Sequence, residues 1–477
     1  MTGRNELHCI VIGGGIAGLA AAYSFAQSAA ERRVALRFAL LEAEARLGGL
    51  IQTVRRDSLV IETGPDAFIT DKPEALELAQ RLELEDQLLP THHAHRRSFI
   101  VRDGKLRPLP AGFHLLAPSR LWPFIASEII GWTGKARMLC DLVRPRGNVR
   151  ADESLASFVR RRFGEQALHR IAQPMVAGIY GADPERLSLR ATVPRFLELE
   201  ERHRSVILGL RRAHRHEQDA RGARYGLFLS FKSGMSTLVE RLAARLPQGA
   251  LRLRARVRAV ARQGDEWIVE TEQERLRAHT LCLALPAHAA ARLLAPVDRS
   301  LADELASIEY ASTAVINLIF RRADVPHPLD GFGFVVPQVE RRALFACTWS
   351  SAKFPGRAPA DRALLRAFVG NALQPEPLAL DDAALLAAVR DDLRALMGIE
   401  HPPLDAHVQR WTDSMPQYAV GHLARLARIE EALAAHPSLA LAGNAYRGVG
   451  IPDSIRSGQQ AAEKLFRYLE RCAPVTK

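Results

Sequence analysis

Cysteine is scarce in this chain of 477 residues. The five cysteines, Cys9, Cys140, Cys282, Cys347 and Cys472, lie far apart, and no two of them form a CxxC pair. This distribution argues against a disulfide framework and against a cysteine-based structural zinc site. It is typical of a protein from a reducing compartment, so we predict a cytoplasmic location.

Aromatic residues are also few, at 6% of the chain, and lysine supplies only seven of the 65 basic residues, the other 58 being arginine. The formal net charge is nevertheless +12. A nucleic-acid surface would interleave aromatic side chains with a basic face, so we predict no nucleic-acid partner. An acidic membrane surface or a polyanionic small molecule remains as the reason for the charge, and the forked guanidinium suits either.

Long uncharged runs are missing, with one exception. Residues 9–30 contain no charged side chain and are long enough to be read as a membrane anchor or a signal peptide. Three consecutive glycines, Gly13 to Gly15, make a poor membrane helix. We therefore predict a buried strand, a tight turn and a buried helix here, and no transmembrane span.

The turn in this run carries the strongest local motif, Gly13-x-Gly15-x-x-Gly18. Gly13 permits the tight turn, Gly15 lets the backbone approach a pyrophosphate at the helix N-terminus, and Gly18 lets the helix pack closely on the strand. Glu42 ends the next predicted strand, where an acid can accept hydrogen bonds from ribose hydroxyls. The arrangement predicts a dinucleotide site.

Further glycine-containing segments favour FAD over NAD. Glycine lets backbone N–H groups approach a planar ligand, and an extended FAD needs a distant segment to cover its ring system. The segments are Arg46-Leu47-Gly48-Gly49, Gly64-Pro65-Asp66, Gly443-Asn444 and Gly448-Val449-Gly450-Ile451-Pro452. The last two lie just before the final predicted helix, far along the chain from the N-terminal glycines. An NAD-binding domain would not need such a distant C-terminal segment at its cofactor.

The rest of the chain reads as a mixed α/β protein. Periodicity predicts a hairpin at 50–63, a mostly helical stretch at 124–232, short strands within 251–285, strands at 310–350, and helices at 381–397 and 453–471. The cluster of His92, His93 and His95 lacks carboxylate or cysteine partners, so we predict no metal site.

Seven segments together resemble the oxygen-dependent porphyrinogen oxidases of haem biosynthesis, a family within the flavin amine-oxidase superfamily. They are VIGGGIAGLAAA, LLEAEARLGGLIQT, ETGPDAF, QPMVAGIYGADPERLSL, SGMSTLVERLA, WTDSMPQYAVGH and LAGNAYRGVGIPDSIRSG. The first two specify only the superfamily, whereas AGIYGADPERLS and GVGIPDSI are specific to the porphyrinogen oxidases. The resemblance spans residues 8 to 469.

The resemblance implies an α/β fold with a GxGxxG FAD-binding Rossmann-like domain, a mixed-sheet substrate domain and a helical insertion domain. The implied boundaries are 1–88, 233–295 and 435–477 for the FAD-binding domain, 89–232 for the helical domain and 296–434 for the substrate-binding domain. Family members oxidise a porphyrinogen to the porphyrin in three flavin cycles, and each cycle reduces O₂ to H₂O₂. The flavin N5 accepts the hydride, so we predict no catalytic acid–base residue.

The resemblance also implies the residues of the site. Those expected to bind FAD, non-covalently, are Gly13, Gly14, Gly15, Ile16, Ala17, Gly18, Glu42, Ala43, Arg46, Gly49, Gly64, Pro65, Asp66, Val257, Trp411, Gly443, Val449, Gly450 and Ile451. Those expected to bind substrate are Gly178 and, for a propionate, Arg97. The family arginine falls one position later, where this chain has Ser98.

Several alternatives stay open from the sequence. Asn317 stands where related amine oxidases have a lysine, and a carotenoid desaturase would lack AGIYGADPERLS. A non-catalytic protein of this fold, like the GDP-dissociation inhibitors, would not need the intact glycine motifs.

Coproporphyrinogen III is favoured over protoporphyrinogen IX because the basic charge suits a tetra-anion. The apolar stretch 109–132 is either a channel wall or a peripheral contact with the inner face of the membrane, and a homodimer is left open.

Overall fold

A computed structural model describes residues 7–92, 95, 97–147, 152–219 and 227–472. The strands are β1 Leu7–Ile12, β2 Leu36–Leu41, β3 Thr53–Arg56, β4 Leu59–Glu62, β5 Phe68–Ile69, β6 Leu88–Pro90, β7 Phe99–Arg102, β8 Lys105–Pro108, β9 Phe113–His114, β10 Ala117–Pro118, β11 Phe228–Phe231, β12 Leu251–Arg252, β13 Val257–Gln263, β14 Glu266–Thr271, β15 Arg275–Ala278, β16 Thr280–Leu283, β17 Tyr310–Arg321, β18 Gly333–Val335, β19 Leu344–Trp349, β20 Arg362–Val369, β21 Asp405–Pro416 and β22 Leu439–Leu441.

The α-helices follow the same order along the chain. They are α1 Ile16–Arg32, α2 Glu74–Arg81, α3 Leu121–Ala126, α4 Trp132–Leu139, α5 Leu155–Arg162, α6 Glu165–Ala167, α7 Gln173–Tyr180, α8 Leu189–Thr192, α9 Arg195–His203, α10 Val206–Asp219, α11 Ser236–Ala244, α12 Ala287–Leu294, α13 Arg299–Ala306, α14 Ser350–Lys353, α15 Asp382–Met397, α16 His422–Ala434 and α17 Ile451–Cys472. Among the described helices, none is long and apolar enough to cross a membrane.

A five-stranded parallel sheet, in the order β12-β2-β1-β16-β22, organises the part of the chain that carries the glycine motif. Side chains of β1 alternate between its two faces. Cys9 and Val11 enter the core formed with α1 and α17, whereas Ile10 and Ile12 enter the core formed with β13–β15 and α12. A parallel sheet covered on both faces is the arrangement expected of a dinucleotide-binding unit.

A seven-stranded mixed sheet, in the order β21-β17-β20-β19-β18-β7-β8, forms the second layer of the molecule. One face packs on α15 through residues such as Leu365, Ala367 and Leu393. The opposite face carries Leu364, which packs against Ile61 of β4, and Phe345, which packs against Ala177 of α7. This sheet therefore lies between the two other regions of the chain.

The helices α3–α10 share a core of their own, which includes Phe158, Val159 and Leu189. A buried ion network crosses it: the Arg162 Nε donates to the Asp141 carboxylate at 2.6 Å, and an Arg162 nitrogen lies 3.3 Å from a Glu200 oxygen. Breaking a buried pair leaves an uncompensated charge, so this network ties three helical segments in one arrangement.

The segment 89–232, predicted as the helical domain, contributes strands to two sheets outside it: β11 pairs with β5 and β6 and packs in the core of α1 and α17. We expected residues 89–232 to belong to the helical domain, but β7 and β8 complete the seven-stranded sheet. Phe99 pairs in parallel with Phe334 across more than 200 residues of sequence, and both side chains are buried in the core under α15. A pairing of this range leaves no local signal in the sequence.

Candidate functional site

The turn between β1 and α1 forms a cradle that is open at Gly15. Gly13 has a φ of +108°, and a Cβ added to Gly18 would lie 1.9 Å from the Gly13 carbonyl oxygen, so α1 packs directly on the turn. A Cβ added to Gly15 meets no atom within 4 Å. The first turn of α1, with half-buried Ile16 and buried Ala17, therefore presents its N-terminus to a space that suits a phosphate group.

Glu42 lies at the edge of this cradle, at the end of β2. Its two carboxylate oxygens accept the backbone N–H of Gly14 at 2.7 Å and of Glu44 at 2.8 Å. An ionised carboxylate has further lone pairs, so ribose hydroxyls can still bind. The Ala255 N–H donates to the Glu42 carbonyl at 2.8 Å, which brings the start of β13, and with it Val257, beside β2.

The loop after β2, which begins with Ala43, closes the cradle from the other side. Arg46 is fixed within this loop, because its guanidinium donates to the carbonyl of Gly49 at 2.7 Å. A Cβ on Gly49 would lie 3.2 Å from the Cα of Gly15. Gly49 and Gly15 thus approach each other closely at the position predicted for the pyrophosphate.

The C-terminal glycines return to the same edge of the sheet. The carbonyl of Leu285 is the nearest atom to a Cβ added at Gly443, at 3.9 Å, and the preceding carbonyl, of Ala284, lies 2.3 Å from a Cβ at Gly13. The loop then enters the N-terminus of the 22-residue helix α17 through Val449, Gly450 and Ile451. The structure therefore brings the two predicted halves of the cofactor site together.

The segment Glu62–Asp66, called here the 62–66 segment, is gripped by side chains of the seven-stranded sheet and its connections. The four bonds run from Asn317 Nδ2 to the Glu62 carbonyl (3.1 Å), from Trp411 Nε1 to the Thr63 carbonyl (2.7 Å), from an Arg366 nitrogen to the Gly64 carbonyl, and from Lys353 Nζ to the Asp66 carboxylate (2.9 Å). Three consecutive carbonyls are thus held on one side, and Gly64, Pro65 and Asp66 have a fixed orientation.

Five ionisable residues meet at this segment and form what we call the buried charge cluster: Glu62, Asp66, Lys353, Arg357 and Arg366. Burial raises the pKa of Glu62 even though Arg357 opposes the shift. Burial would also raise the pKa of Asp66, but Lys353 and Arg366 outweigh it and hold that pKa at about 2. Asp66 is therefore an anion at neutral pH.

Apolar side chains of α7 and the seven-stranded sheet pack together, and the exposed margin of this contact at Gly178 is called here the apolar cleft. Ala177 on the helix and Phe345 on the sheet are buried in the contact, whereas Val335 and Phe368 are partly exposed at its margin, and the two phenyl ring centroids lie 6.1 Å apart. Gly178 follows Ala177 and is exposed, and a Cβ added to it would lie 3.6 Å from a Val335 methyl group. The predicted substrate glycine therefore faces this apolar cleft.

A cavity of about 590 Å³ lies beyond the end of α7, and its lining includes Ala182 and Ala372, whose N–H donates to the Gly181 carbonyl. Its lining also includes Trp411, Tyr310 and Tyr418. The volume is within the usual range of small-molecule sites. Trp411 therefore links the 62–66 segment to a space of substrate size.

Arg97 lies apart from Gly178. Its guanidinium pairs with Asp330 at 3.2 Å and is half exposed. Side chains alternate between the two faces of a strand. Phe99 lies on the face that packs under α15, and Arg97, two residues earlier, belongs to the same face. Ile100 lies on the opposite face and packs in the helical core. The sheet thus does not direct Arg97 toward the apolar cleft.

No group of three ligand-type side chains that could hold a metal ion occurs among the described residues. The rings of His92 and His95 lie 4.5 Å apart, and His93 is outside the described residues.

The structure also groups residues that sequence reasoning missed, namely the four members of the buried charge cluster other than Asp66 and the aromatic pair Phe345 and Phe368. One signal was available for Arg366. It is a lone charged residue in the otherwise apolar strand ALLRAFV, and a charged residue in a buried strand needs a partner. The partner Gly64 is 302 positions away, so the sequence does not identify it.

Comparison with known proteins agrees with this geometry. The family model for flavin containing amine oxidoreductases matches residues 16–465. The chain is 35% identical to a coproporphyrinogen III oxidase of Bacillus subtilis (strain 168), over 97% of this chain and 98% of that protein. It is 32% identical to the protoporphyrinogen oxidase of Bos taurus, over 96% and 98%. A solved structure from Exiguobacterium sp. 255-15, provisionally assigned as a protoporphyrinogen oxidase, is 30% identical, with a TM-score of 0.87 over 98% and 100%.

The fold and the cradle define a flavoprotein oxidoreductase. The chain belongs to the flavin-containing amine oxidoreductase family, and its cofactor is FAD. The residues present fit this cofactor, because the cradle at Gly15 is open and Glu42 is held at its edge.

Proposed function

We propose that this protein oxidises coproporphyrinogen III to coproporphyrin III, with O₂ as the electron acceptor and H₂O₂ as the product. Six electrons leave the substrate in three two-electron steps. Oxidation of protoporphyrinogen IX is the alternative. The bacterial coproporphyrinogen III oxidase has the higher identity of the two relatives described above, which favours the first substrate.

The observation that carries the proposal is the apolar cleft beside Gly178. A porphyrinogen is a broad apolar ring with anionic arms, and it needs apolar walls together with a close backbone approach. Val335 and Phe368, which are partly exposed, supply such walls over the buried Phe345, and Gly178 presents backbone without a side chain. Phe368 and Arg366 lie on the same strand, β20, with the guanidinium carbon 4.7 Å from the ring centroid, which places the cleft next to the 62–66 segment.

The residues of this chain would act by binding, orienting and excluding water. The chemistry that FAD supplies when bound is two-electron acceptance and reoxidation by O₂. An electron-rich porphyrinogen releases a hydride from a meso carbon without a strong base, so position matters more than acid–base catalysis. The cradle at Gly15, Glu42 and Gly49 would hold the dinucleotide, the 62–66 segment with Trp411 would orient the ring system, and the cleft would hold the substrate.

The decisive experiment follows porphyrin fluorescence in air with the purified protein and each reduced porphyrinogen in turn. Flavin absorption bands with faster formation of coproporphyrin are the expected result. Faster formation of protoporphyrin would establish the alternative substrate. Flavin bands without either product would indicate an amine oxidase or a desaturase instead. A colourless protein would indicate a non-catalytic binding protein of this fold.

Arg97 is proposed to bind a substrate propionate, for which it must leave Asp330 and turn from the face under α15 toward the apolar cleft. Arg97→Ala should then raise KM for coproporphyrinogen about tenfold, because a charge-assisted hydrogen bond is lost, and leave flavin content unchanged. Arg258→Ala is the matched control, since Arg258 is exposed and pairs with Glu272 at 2.6 Å on the sheet β13–β15. An unaltered KM in Arg97→Ala would remove this residue from the site.

We further propose a cytoplasmic protein that contacts the membrane through α3 and α4. Trp122 and Trp132 are 78% and 73% exposed. Exposed indole rings suit a membrane interface, and the net charge of +12 suits an anionic one. Trp122→Ser with Trp132→Ser should reduce cosedimentation with phosphatidylglycerol vesicles at least fivefold, whereas Leu404→Ser, an exposed apolar control, should not. Equal sedimentation of all three proteins would contradict the contact. A homodimer remains a prediction.

A further inference from the structure

The buried charge cluster holds more positive than negative charge. Even with both carboxylates ionised, Glu62 and Asp66 face three cations, Lys353, Arg357 and Arg366. Glu62 and Arg366 are each 4% exposed and Arg357 is 2% exposed. The cluster therefore carries a net charge of +1 in an environment where an uncompensated charge is costly.

Two of its donors also lack acceptors. Among the described residues, Arg357 Nη1 and Arg366 Nε are buried and have no hydrogen-bond partner. Burial lowers the pKa of both guanidinium groups, although Glu62 and Asp66 oppose the shift. The two carboxylates thus compensate the arginines incompletely, and the cluster would be stabilised by one further negative charge nearby.

Reduction of the cofactor supplies such a charge. Oxidised FAD takes up two electrons and one proton to reach its fully reduced anionic form, so its charge becomes more negative by one. The cluster contacts the 62–66 segment directly, through the Gly64 carbonyl and the Asp66 carboxylate. This step rests on the proposed function, in which Gly64, Pro65 and Asp66 contact the flavin.

We propose that the buried charge cluster raises the reduction potential of the bound flavin, and that Arg366 is the residue that determines this effect. Arg366 is the cation that touches both parts of the segment: one nitrogen donates to the Gly64 carbonyl, and another lies 3.6 Å from the Asp66 carboxylate. Its guanidinium also stacks on Phe368, at 4.7 Å from the ring centroid. Arg366 is thus a positioning and charge-setting residue, not a catalytic one.

The consequence is a division of roles between the two sheets. The five-stranded sheet binds the dinucleotide, while the seven-stranded sheet adjusts the electron affinity of the ring system through side chains. A higher potential favours electron transfer from substrate, because charge placed near the flavin ring changes its electronics. The same positive charge makes reoxidation of the flavin by O₂ less favourable.

The test measures the flavin midpoint potential of the purified FAD-loaded protein, by slow enzymatic reduction against a reference dye at constant pH and without any porphyrinogen. Arg366→Met removes the positive charge and should shift the reduction equilibrium about tenfold toward the oxidised form, the size expected of one unit charge near a buried ligand. Tenfold is about 30 mV for a two-electron couple. Arg366→Lys should retain most of the wild-type potential.

Asp66→Asn should shift the midpoint potential in the opposite direction from Arg366→Met. It removes a negative charge and should therefore raise the potential. The matched control is Arg362→Gln, on the same strand at the protein surface, which should leave the potential unchanged. If the cluster has a purely structural role, Arg366→Met and Asp66→Asn should shift the midpoint potential in the same direction. That result would overturn the proposal, and so would an unchanged potential in both variants. Should Arg366→Met fail to retain FAD, Lys353→Met tests the same loss of charge.

The outcome is separable from the substrate assignment. If the potentials shift with opposite signs while the wild-type protein oxidises neither porphyrinogen, the proposed substrate is wrong and the charge effect stands. If porphyrinogen is oxidised and the potentials do not shift, the proposed function stands and the charge effect is wrong.

Discussion

Gly15→Val is expected to yield a folded protein that does not retain FAD. Gly15 is the N-cap of α1, with φ −69° and ψ 176°, a conformation that valine adopts without strain. The added Cβ meets no protein atom within 4 Å. The side chain would instead fill the space predicted for the pyrophosphate at the helix N-terminus. We expect FAD affinity to fall more than 100-fold, measured from the visible flavin absorbance of the purified protein and by titration with added FAD.

Gly131→Val is a closely matched control for this change. Gly131 is the N-cap of α4, with φ −70° and ψ 169°, and its Cβ would lie 3.5 Å from the nearest atom, on Gln166. Both variants replace an N-cap glycine with valine, so their unfolding temperatures without FAD should be alike. A yellow, fully loaded Gly15→Val protein would show that Gly15 does not contact the cofactor.

Gly178→Leu is expected to block the substrate without disturbing the cofactor. Gly178 lies within α7 on the exposed side, 3.6 Å from a Val335 methyl group as measured from an added Cβ. A leucine side chain would occupy the cleft between α7 and β18. We expect kcat/KM for coproporphyrinogen to fall about 100-fold, with unchanged flavin absorbance, because a clash in a fitted pocket removes binding and alignment together.

Gly178→Ala separates this effect from helix stability. Glycine inside a helix costs about 1 kcal/mol relative to alanine, so both variants should unfold at or above the wild-type temperature. Alanine adds one methyl group at contact distance from Val335 and should reduce kcat/KM much less than leucine does. Wild-type kinetics in Gly178→Leu would exclude the cleft as the substrate site.

Several elements could be predicted because their signals are local. The hairpin expected at 50–63 is confirmed as β3 and β4, with Asp57 and Ser58 at positive φ in the turn. The helix expected at 381–397 is confirmed as Asp382–Met397, and the one expected at 453–471 as Ile451–Cys472. Apolar spacing and turn residues report on conformation within about one turn or one strand.

The same reasoning could not place β7 and β8, which we predicted in the helical domain. Their strand character is local, but their sheet is chosen by the pairing of Phe99 with Phe334. It could not assemble the buried charge cluster either, since Lys353 and Asp66 are 287 positions apart. Such pairs depend on which elements pack together, and no short window of sequence contains both partners.

The sequence by itself therefore determined the glycine turn between β1 and α1, the acid after β2 and the C-terminal glycines, because each is a short run whose residue types are required by its own backbone. Tertiary structure alone decided which side chains surround the 62–66 segment, which face of α7 is open, and which part of the protein Arg97 faces. Those properties follow from the docking of the seven-stranded sheet against two other regions. Burial and charge compensation there are set by neighbours that are distant in the chain.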